Sequence, residues 1–404
     1  SNFINNTSQF LYEDLLNSLK KDEVIIKFYI SELENKIAAL VIGKNSFNTY
    51  KISIGKVELK EKINLYLSNL KLKKDFNFEL SNELYNLLIQ PLERNLKNVK
   101  QITIISDSFL NQLPFQTLIT KKTKSYKYFK FLNYRNASWL INTKAVSYVP
   151  SINSFVTLRK INYPSSFESE FVGFGDPFLK GGSKCNKNVN YSQLFRGGIA
   201  NATEINKLCP LPNTGKEVKQ FDSILSSNKN KIFLGKDFTE TNLKQLKKIS
   251  SRVVLFATHG LLDGDLRNLD QSALVMTPPN KPDTIDDGLL TASEIAEMKI
   301  QSNLVVLSAC NTGVNTKSGP LKSLTASFFF SGVKSLLISS WEIESTSAVK
   351  FTTMLIKSLK KNISSSFAFQ KASKSMIKSS WYEMFFGKKY HHPYYWSGFN
   401  LISA

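Results

Sequence analysis

Cysteine and histidine are scarce in this 404-residue chain, which holds three of each. Cys185, Cys209 and Cys310 are too few for a disulfide framework. No CxxC pair occurs, and no His/Cys cluster has zinc spacing. The chain therefore reads as intracellular and cytoplasmic, with no metal and no cofactor. Long apolar runs are also missing. The most apolar stretch, 321–341, is interrupted by Lys322 and Lys334, so it cannot supply the roughly 20 apolar residues of a spanning helix. No basic segment followed by an apolar one opens the chain, so no signal peptide is legible. Twelve prolines and 18 glycines are too few for a collagen-like or low-complexity chain. A 42% hydrophobic content over this length can bury a sizeable core, which excludes overall disorder.

Acidic residues are outnumbered, 32 against 53 basic ones, for a net charge of +21. Such a surface invites nucleic acid, anionic lipid or an acidic partner. The excess is scattered lysine, however, with no Arg-rich run, and a solvated surface explains it more simply. Basic and aromatic residues interleave only in 121–136 (Lys121, Lys122, Lys124, Tyr126, Lys127, Tyr128, Lys130), the best place for a nucleic-acid patch. An exposed loop is the simpler reading there too. Neither direct nucleic-acid binding nor membrane association is expected.

The length suits two domains. Residues 22–120 read as mixed α/β. Glu23–Ile30 and Lys36–Ile42 are strand-like and close enough for a hairpin. Asn82–Leu96 has helical spacing interrupted at Pro91, and Gln101–Ser106 is a short buried strand. From Phe171 the pattern becomes strand, loop, helix. Phe171–Asp176, Arg252–Ala257, Asn303–Ser308 and Lys334–Ser339 read as strands, the last three as continuous apolar runs. Helical patterns at Lys216–Leu225, Ala292–Met298 and Leu321–Phe330 alternate with them, and 180–212 reads as loop. Alternation of this kind predicts an α/β fold with a parallel sheet covered on both faces. Asn162–Phe167 resembles a linker, so the expected domains are 1–160 and 165–404.

The candidate chemistry follows two of these strands. His259 stands in Ala257-Thr-His-Gly260 and Cys310 in Ser308-Ala-Cys-Asn-Thr-Gly313. Open parallel sheets bind ligands beyond the carboxyl ends of their strands, so the two residues are expected to face one crevice. A thiolate is the nucleophile of cysteine catalysis and an imidazole its usual proton carrier. Either residue alone reads as strand-end packing; together they read as a dyad. His391 and His392, in a Tyr-rich segment, read as packing or surface residues.

These residues resemble the caspase–separase clan of cysteine peptidases, in which a His precedes the Cys by about 50 residues. The wider text is similar to the CHAT family, the caspase-like domain often found behind tetratricopeptide repeats in bacteria. The similarity runs through Leu211-Pro-Asn-Thr-Gly-Lys-Glu-Val218, Phe256-Ala-Thr-His-Gly260, Asp287-Gly-Leu-Leu-Thr-Ala-Ser-Glu-Ile295, Leu304–Gly313 and His392-Pro-Tyr-Tyr-Trp396. Upstream, Leu84–Pro91 and Asp107–Phe115 resemble the family's N-terminal part. The resemblance implies a caspase-like, parallel-dominated sheet flanked by helices, preceded by a caspase-like subdomain without catalytic residues. It also implies peptide-bond hydrolysis by Cys310 and His259, an oxyanion hole of the Gly260 and Cys310 N–H groups, a protein or peptide substrate, and control by upstream repeats or a regulatory partner. Clan members that cleave after Arg or Lys place an acidic side chain in the S1 pocket. Glu342 in Ser340-Trp-Glu-Ile-Glu-Ser345 matches best, with Glu344 and Asp176 as alternatives. Asp263, Asp265, Asp286 and Asp287 are close enough in sequence for an oxygen cage, but an exposed mobile loop is expected. The rivals to a peptidase are a catalytically silent interaction module and a basic nucleic-acid-binding domain.

Overall fold

The computed structural model of the protein describes residues 12–31, 33–122, 130–163, 166–181, 195–196, 199–261, 271–308, 322–341, 343–379 and 389–404. Its packing defines two compact units, one built from 1–160 and 346–404, the other from 161–345.

The first unit opens with β1 (Glu23–Ile30) and β2 (Ile37–Gly43), the expected hairpin, extended by β3 (Ser46–Ile52). Ser-Phe-Asn-Thr-Tyr-Lys-Ile is mostly polar and half-exposed, so nothing in its hydropathy announced an edge strand. β4 (Gln101–Ile105) and β5 (Ala145–Tyr148) continue the sheet in parallel, giving the order β3-β2-β1-β4-β5. The helix Phe78–Leu88 buries Leu80, Leu84 and Leu88, and the Asn77 side chain caps it by accepting the Leu80 N–H. It gives way to a 3-10 turn, Gln90–Leu92, at Pro91, where the missing N–H and the ring forbid a further α-turn.

The second unit begins with β6 (Ser169–Pro177), followed by the short pair β7 (Phe195–Arg196) and β8 (Ile199–Ala200), and by β9 (Lys231–Gly235) and β10 (Ile249–Ala257). A small antiparallel sheet follows: β11 (Gly260–Leu261), β12 (Ala273–Val275) and β13 (Leu289–Thr291). β14 (Ile300–Leu307) and β15 (Ser335–Ser339) complete the unit. Its main sheet has the order β15-β14-β10-β6-β9, every pair parallel. The four strands expected from sequence are all present. β9 is a half-exposed edge strand and escaped the hydropathy reading. The segment read as loop carries the β7/β8 pair and a helical turn at Ala202–Ile205. The linker-like segment is anchored, with the Tyr163 hydroxyl against the carbonyls of Ser302 and Gly332.

Aromatic stacking fixes the register at the centre of this sheet. Phe174 of β6 lies opposite Phe233 of β9 and Phe256 of β10. Its ring stacks on both, at centroid separations of 5.1 and 4.8 Å. Phe174 and Phe256, both fully buried, each contribute about 2–3 kcal/mol by leaving water, half-buried Phe233 less, and a one-residue slip of β6 would put Phe174 on the wrong face. The alternate positions of β6 are glycines. A Cβ at Gly173 would lie 2.5 Å from the Phe171 ring and one at Gly175 would lie 2.9 Å from Val218. Their absence lets the helix Pro212–Leu225 pack directly on β6. That helix starts earlier than the Lys216 expected from sequence, because Pro212 occupies its first turn, where no N–H is needed.

The chain then returns to the first unit. The helix Ser365–Ile377 buries Ala368, Phe369, Ala372 and Met376, and β16 (Phe399–Ser403) pairs in parallel with β5. These contacts are why the segment from Thr346 groups with the first unit, although the sequence assigned it to the second half. No helix among the described residues is long and apolar enough to cross a membrane.

Candidate active site

The parallel register of the second unit brings three strand ends together. Ala257 is opposite Gly175, and Phe256 is opposite Leu307. Asp176, Thr258–His259 and Ser308 therefore leave the sheet at one edge, the edge where open α/β sheets place their ligands. Cys310 follows Ser308 by two residues and lies outside the described residues, as does Glu342 beyond β15.

His259 is half-buried, and its backbone is held on both sides. Its carbonyl accepts the Val275 N–H at 2.9 Å, and the preceding Thr258 hydroxyl donates to the Val275 carbonyl at 2.5 Å. One contact of the ring decides its chemistry: Nε2 lies 2.7 Å from the Cys209 carbonyl oxygen. A carbonyl only accepts, so Nε2 carries the proton and, in the neutral ring, Nδ1 carries the lone pair. Burial lowers the imidazole pKa below its usual value, while the Cys209 carbonyl opposes that shift. The ring is thus neutral at neutral pH, with one nitrogen tethered and the other a base. The Cys209 sulfur is disulfide-bonded.

Gly260 pairs with Leu274 in a narrow antiparallel pair, where the flanking residues exchange the ladder bonds. Its own N–H therefore points away from β12. On the neighbouring strand end, Ser308 N–H donates to the Phe256 carbonyl at 2.9 Å. The Ser308 hydroxyl donates to Glu217 Oε2 at 2.8 Å. Glu217 is 3% exposed, a buried carboxylate on the helix Pro212–Leu225 braced against the strand that leads to Cys310.

Asp176, next to last in β6, lies in the left-handed region, at φ 52°, a conformation Asp tolerates better than most residues. Thr214 fixes it there, its hydroxyl accepting the Asp176 N–H at 2.8 Å. The carboxyl is packed over Gly215. Burial raises its pKa and Lys219 pulls it back. Glu344 is half-buried.

Two expectations need correction. Asp286 and Asp287 do not sit in an exposed loop. Asp286 is 7% exposed and accepts the N–H and hydroxyl of Thr241, while half-buried Asp287 accepts the N–H groups of Ala200 and Leu289. Asp263 and Asp265 lie outside the described residues, and no cluster of three or more metal-ligating side chains occurs among those described. The stretch 121–136 is not wholly loop either: Lys130–Asn136 is helical and Tyr134 is buried; 123–129 lie outside the described residues.

Sequence reasoning missed the Cys209 carbonyl, a backbone group that no side-chain pattern can announce. It quoted Glu217 within the Leu211–Val218 motif without assigning it a task. An acidic residue on the buried face of an amphipathic helix was the available signal.

The model of the CHAT domain family matches residues 79–404. No curated protein matches the sequence. Among solved structures, the chain is similar to one in the Saccharomyces cerevisiae separase–securin complex at 3.0 Å, with a TM-score of 0.50 and 10% identity, over 97% of this chain and 30% of that one. A more distant likeness is to the Arg-specific cysteine proteinase gingipain R, with a TM-score of 0.44 and 6% identity, over 86% of this chain and 74% of that one. The first likeness is one of fold: a mostly parallel sheet flanked by helices. The chain spans less than a third of that relative's length.

Proposed function

Because the chain belongs to the CHAT-domain family, whose fold is that of caspase-like cysteine peptidases, we propose that it is a cysteine endopeptidase working through Cys310 and His259. The observation that carries the reading is the tethered imidazole at the end of β10. Its Nε2–H is held by the Cys209 carbonyl, which leaves Nδ1 to take the proton from Cys310 Sγ. The thiolate attacks the scissile carbonyl, forming the C–S bond, and the oxygen takes the negative charge. The N–H groups of Gly260 and Cys310 stabilise that oxyanion; one such donor is worth about 3 kcal/mol. Nδ1–H then passes its proton to the leaving amine as the C–N bond breaks. Water, deprotonated by the same nitrogen, hydrolyses the thioester. The tether does the work a carboxylate does in three-residue sites: it fixes the tautomer and accepts from the imidazolium.

The substrate is a protein or peptide, and control by a partner or by upstream repeats belongs to the same proposal, as does action in the cytoplasm. An acidic S1 pocket, with Glu342 first and Asp176 or Glu344 as alternatives, selects Arg or Lys at P1.

The test is a proteome-wide cleavage screen under reductant, so that any disulfide at Cys209 is open. Wild type should generate new termini that the Cys310→Ala protein does not, with both equally folded by circular dichroism, and EDTA should leave turnover unchanged. Normal cleavage by folded Cys310→Ala would sink the assignment. Binding of a partner without cleavage by either protein would favour a silent interaction module.

A further inference from the structure

The small sheet that holds His259 is itself held by a buried carboxylate. Glu240, 1% exposed, opens the helix Glu240–Gln245. Its Oε1 accepts two backbone N–H groups, from Asp287 at 3.0 Å and from Gly288 at 2.8 Å. Its Oε2 pairs with Lys244 Nζ at 2.9 Å; the same ammonium bonds Glu294 Oε1 at 2.7 Å and the Ile285 carbonyl. Burial, with the nearby Glu294 charge, raises the Glu240 pKa from 4.5 to about 7, and Lys244 and the Asp287 N–H offset only part of that penalty.

The two captured N–H groups belong to the turn that starts β13. Gly288 is at φ +88°, and a Cβ there would lie 2.8 Å from Pro278 Cα, so the turn has one narrow solution. From it the path to the site is short. The Gly288 carbonyl accepts the Met276 N–H at 2.9 Å. The preceding residue, Val275, donates its N–H to the His259 carbonyl and accepts the Thr258 hydroxyl. β13 also pairs with β12 along Leu289–Thr291, and β12 pairs with Gly260–Leu261. Every link is a backbone ladder or a hydrogen bond to one.

We infer that Glu240 is a positioning residue: its carboxylate, through the Asp287–Gly288 turn and β12, fixes the backbone of His259 and Gly260. The inference deepens the peptidase reading and rests on it for its catalytic consequence, though not for the positioning itself. A carboxylate that merely stabilised the fold would alter melting and leave the site geometry of the folded protein alone. Loosening the platform would misplace the proton carrier and the oxyanion donor together, and a misplacement near 1 Å costs on the order of 100-fold in rate.

The experiment compares the full chain with Glu240→Ala and Glu240→Gln by amide hydrogen exchange and by steady-state kinetics on a peptide that wild type cleaves. The Gln amide oxygen can still accept from Asp287 and Gly288, so it is the conservative variant. Glu240→Ala should speed exchange in 258–261 and 273–276 and lower kcat by about 10- to 100-fold with KM little changed, and Glu240→Gln should restore most of both. If Glu240→Ala does not fold, Glu240→Asp, whose shorter side chain draws the acceptor away from the Asp287 and Gly288 N–H groups, should show slower turnover and faster exchange at those residues than elsewhere, and wild-type values in both overturn the inference. A lower melting temperature with unchanged exchange at 258–261 and unchanged kcat overturns it as well. If wild type cleaves no substrate while exchange responds as expected, the positioning stands and the peptidase reading falls.

Discussion

The chain's histidines sit in two regions that treat the same ring in opposite ways. At the end of β10, His259 is tethered through Nε2 to one carbonyl and keeps Nδ1 as a base. In the segment 389–397, His392 spends both nitrogens: Nε2 lies 2.9 Å from the Lys74 carbonyl, and Nδ1 accepts the Tyr394 N–H at 3.1 Å. His391, beside it, packs its ring 5.0 Å from that of Tyr134. Burial is common to all three, so burial alone does not mark a reactive imidazole. A nitrogen without a partner does not mark one either, since the buried His391 Nδ1 has none among the described residues; what sets His259 apart is its place at a strand end.

The sharpest way to break this contrast is to remove one ring from each region. His259→Ala should lower turnover by about 10⁴- to 10⁶-fold, the scale on which a nucleophile–base pair fails as a unit, with little change in melting temperature. His392→Ala should do the reverse. It leaves the Lys74 carbonyl and the Tyr394 N–H without their partner and costs roughly 2–4 kcal/mol of stability, while the folded fraction turns over normally. Turnover and thermal melts on the two variants decide the matter. A loss of turnover per folded molecule in His392→Ala would show that the tail histidines belong to the site.

How much of this contrast was legible beforehand follows from what a sequence can encode. Buried parallel strands are apolar on both faces, so β10, β14 and β15 stood out as runs, and the residues after them were found with them. Edge strands β3 and β9 are half-solvated and mixed in polarity, so they did not. His259 was found because Gly260 and a strand flank it. Its tether was not, because the Cys209 carbonyl is backbone and distant in sequence. The buried carboxylate Glu240 looks like a surface residue until its partners are known, and hydropathy contains no partners; Glu217 carried a signal only through its place on the buried face of an amphipathic helix. Return of the segment after Thr346 to the first unit depends on β5 pairing with β16, a long-range contact between two short strands.

Acid separates the regions as well. Burial holds both tail histidines neutral, lowering each pKa from 6.5 to about 4. The mutual charge of the pair reinforces the shift at His391, whereas the Lys74 carbonyl opposes it at His392. The unfolded chain takes up protons near 6.5, and the folded one resists until about 4. Stability is therefore complete above pH 6.5, falls as the pH drops through that window, and levels off below 4. The loss should be on the order of 3 kcal/mol for each histidine, about 7 for the pair. Urea unfolding midpoints between pH 7 and 4 test it. The His391→Gln/His392→Gln protein should be less stable at pH 7 but show a flatter slope; an unchanged slope would place the acid sensitivity elsewhere.

The smallest expected effect concerns what the reactive region selects. Glu342 comes three residues after β15 in the sequence and Asp176 is next to last in β6, and those two strands flank β14 and β10 in the sheet. The two carboxylates are not equivalent. The Asp176 backbone is pinned by Thr214, and Lys219 already offsets its charge, which weakens its pull on a substrate cation. The proposal puts Glu342 against a basic P1 side chain, where a guanidinium can bind a carboxylate through two parallel hydrogen bonds. Glu342→Gln should cost Arg and Lys peptides about 1–3 kcal/mol in kcat/KM, with Arg losing more than Lys, and should leave an uncharged P1 residue nearly unaffected. Asp176→Asn should cost less, because Lys219 is freed to repel the same cation only from a distance. A P1 library read by mass spectrometry on wild type and both variants settles the order. Preference for Leu or Met that survives both substitutions would mean an apolar pocket with both carboxylates outside it, and a larger loss in Asp176→Asn would move the pocket to the end of β6.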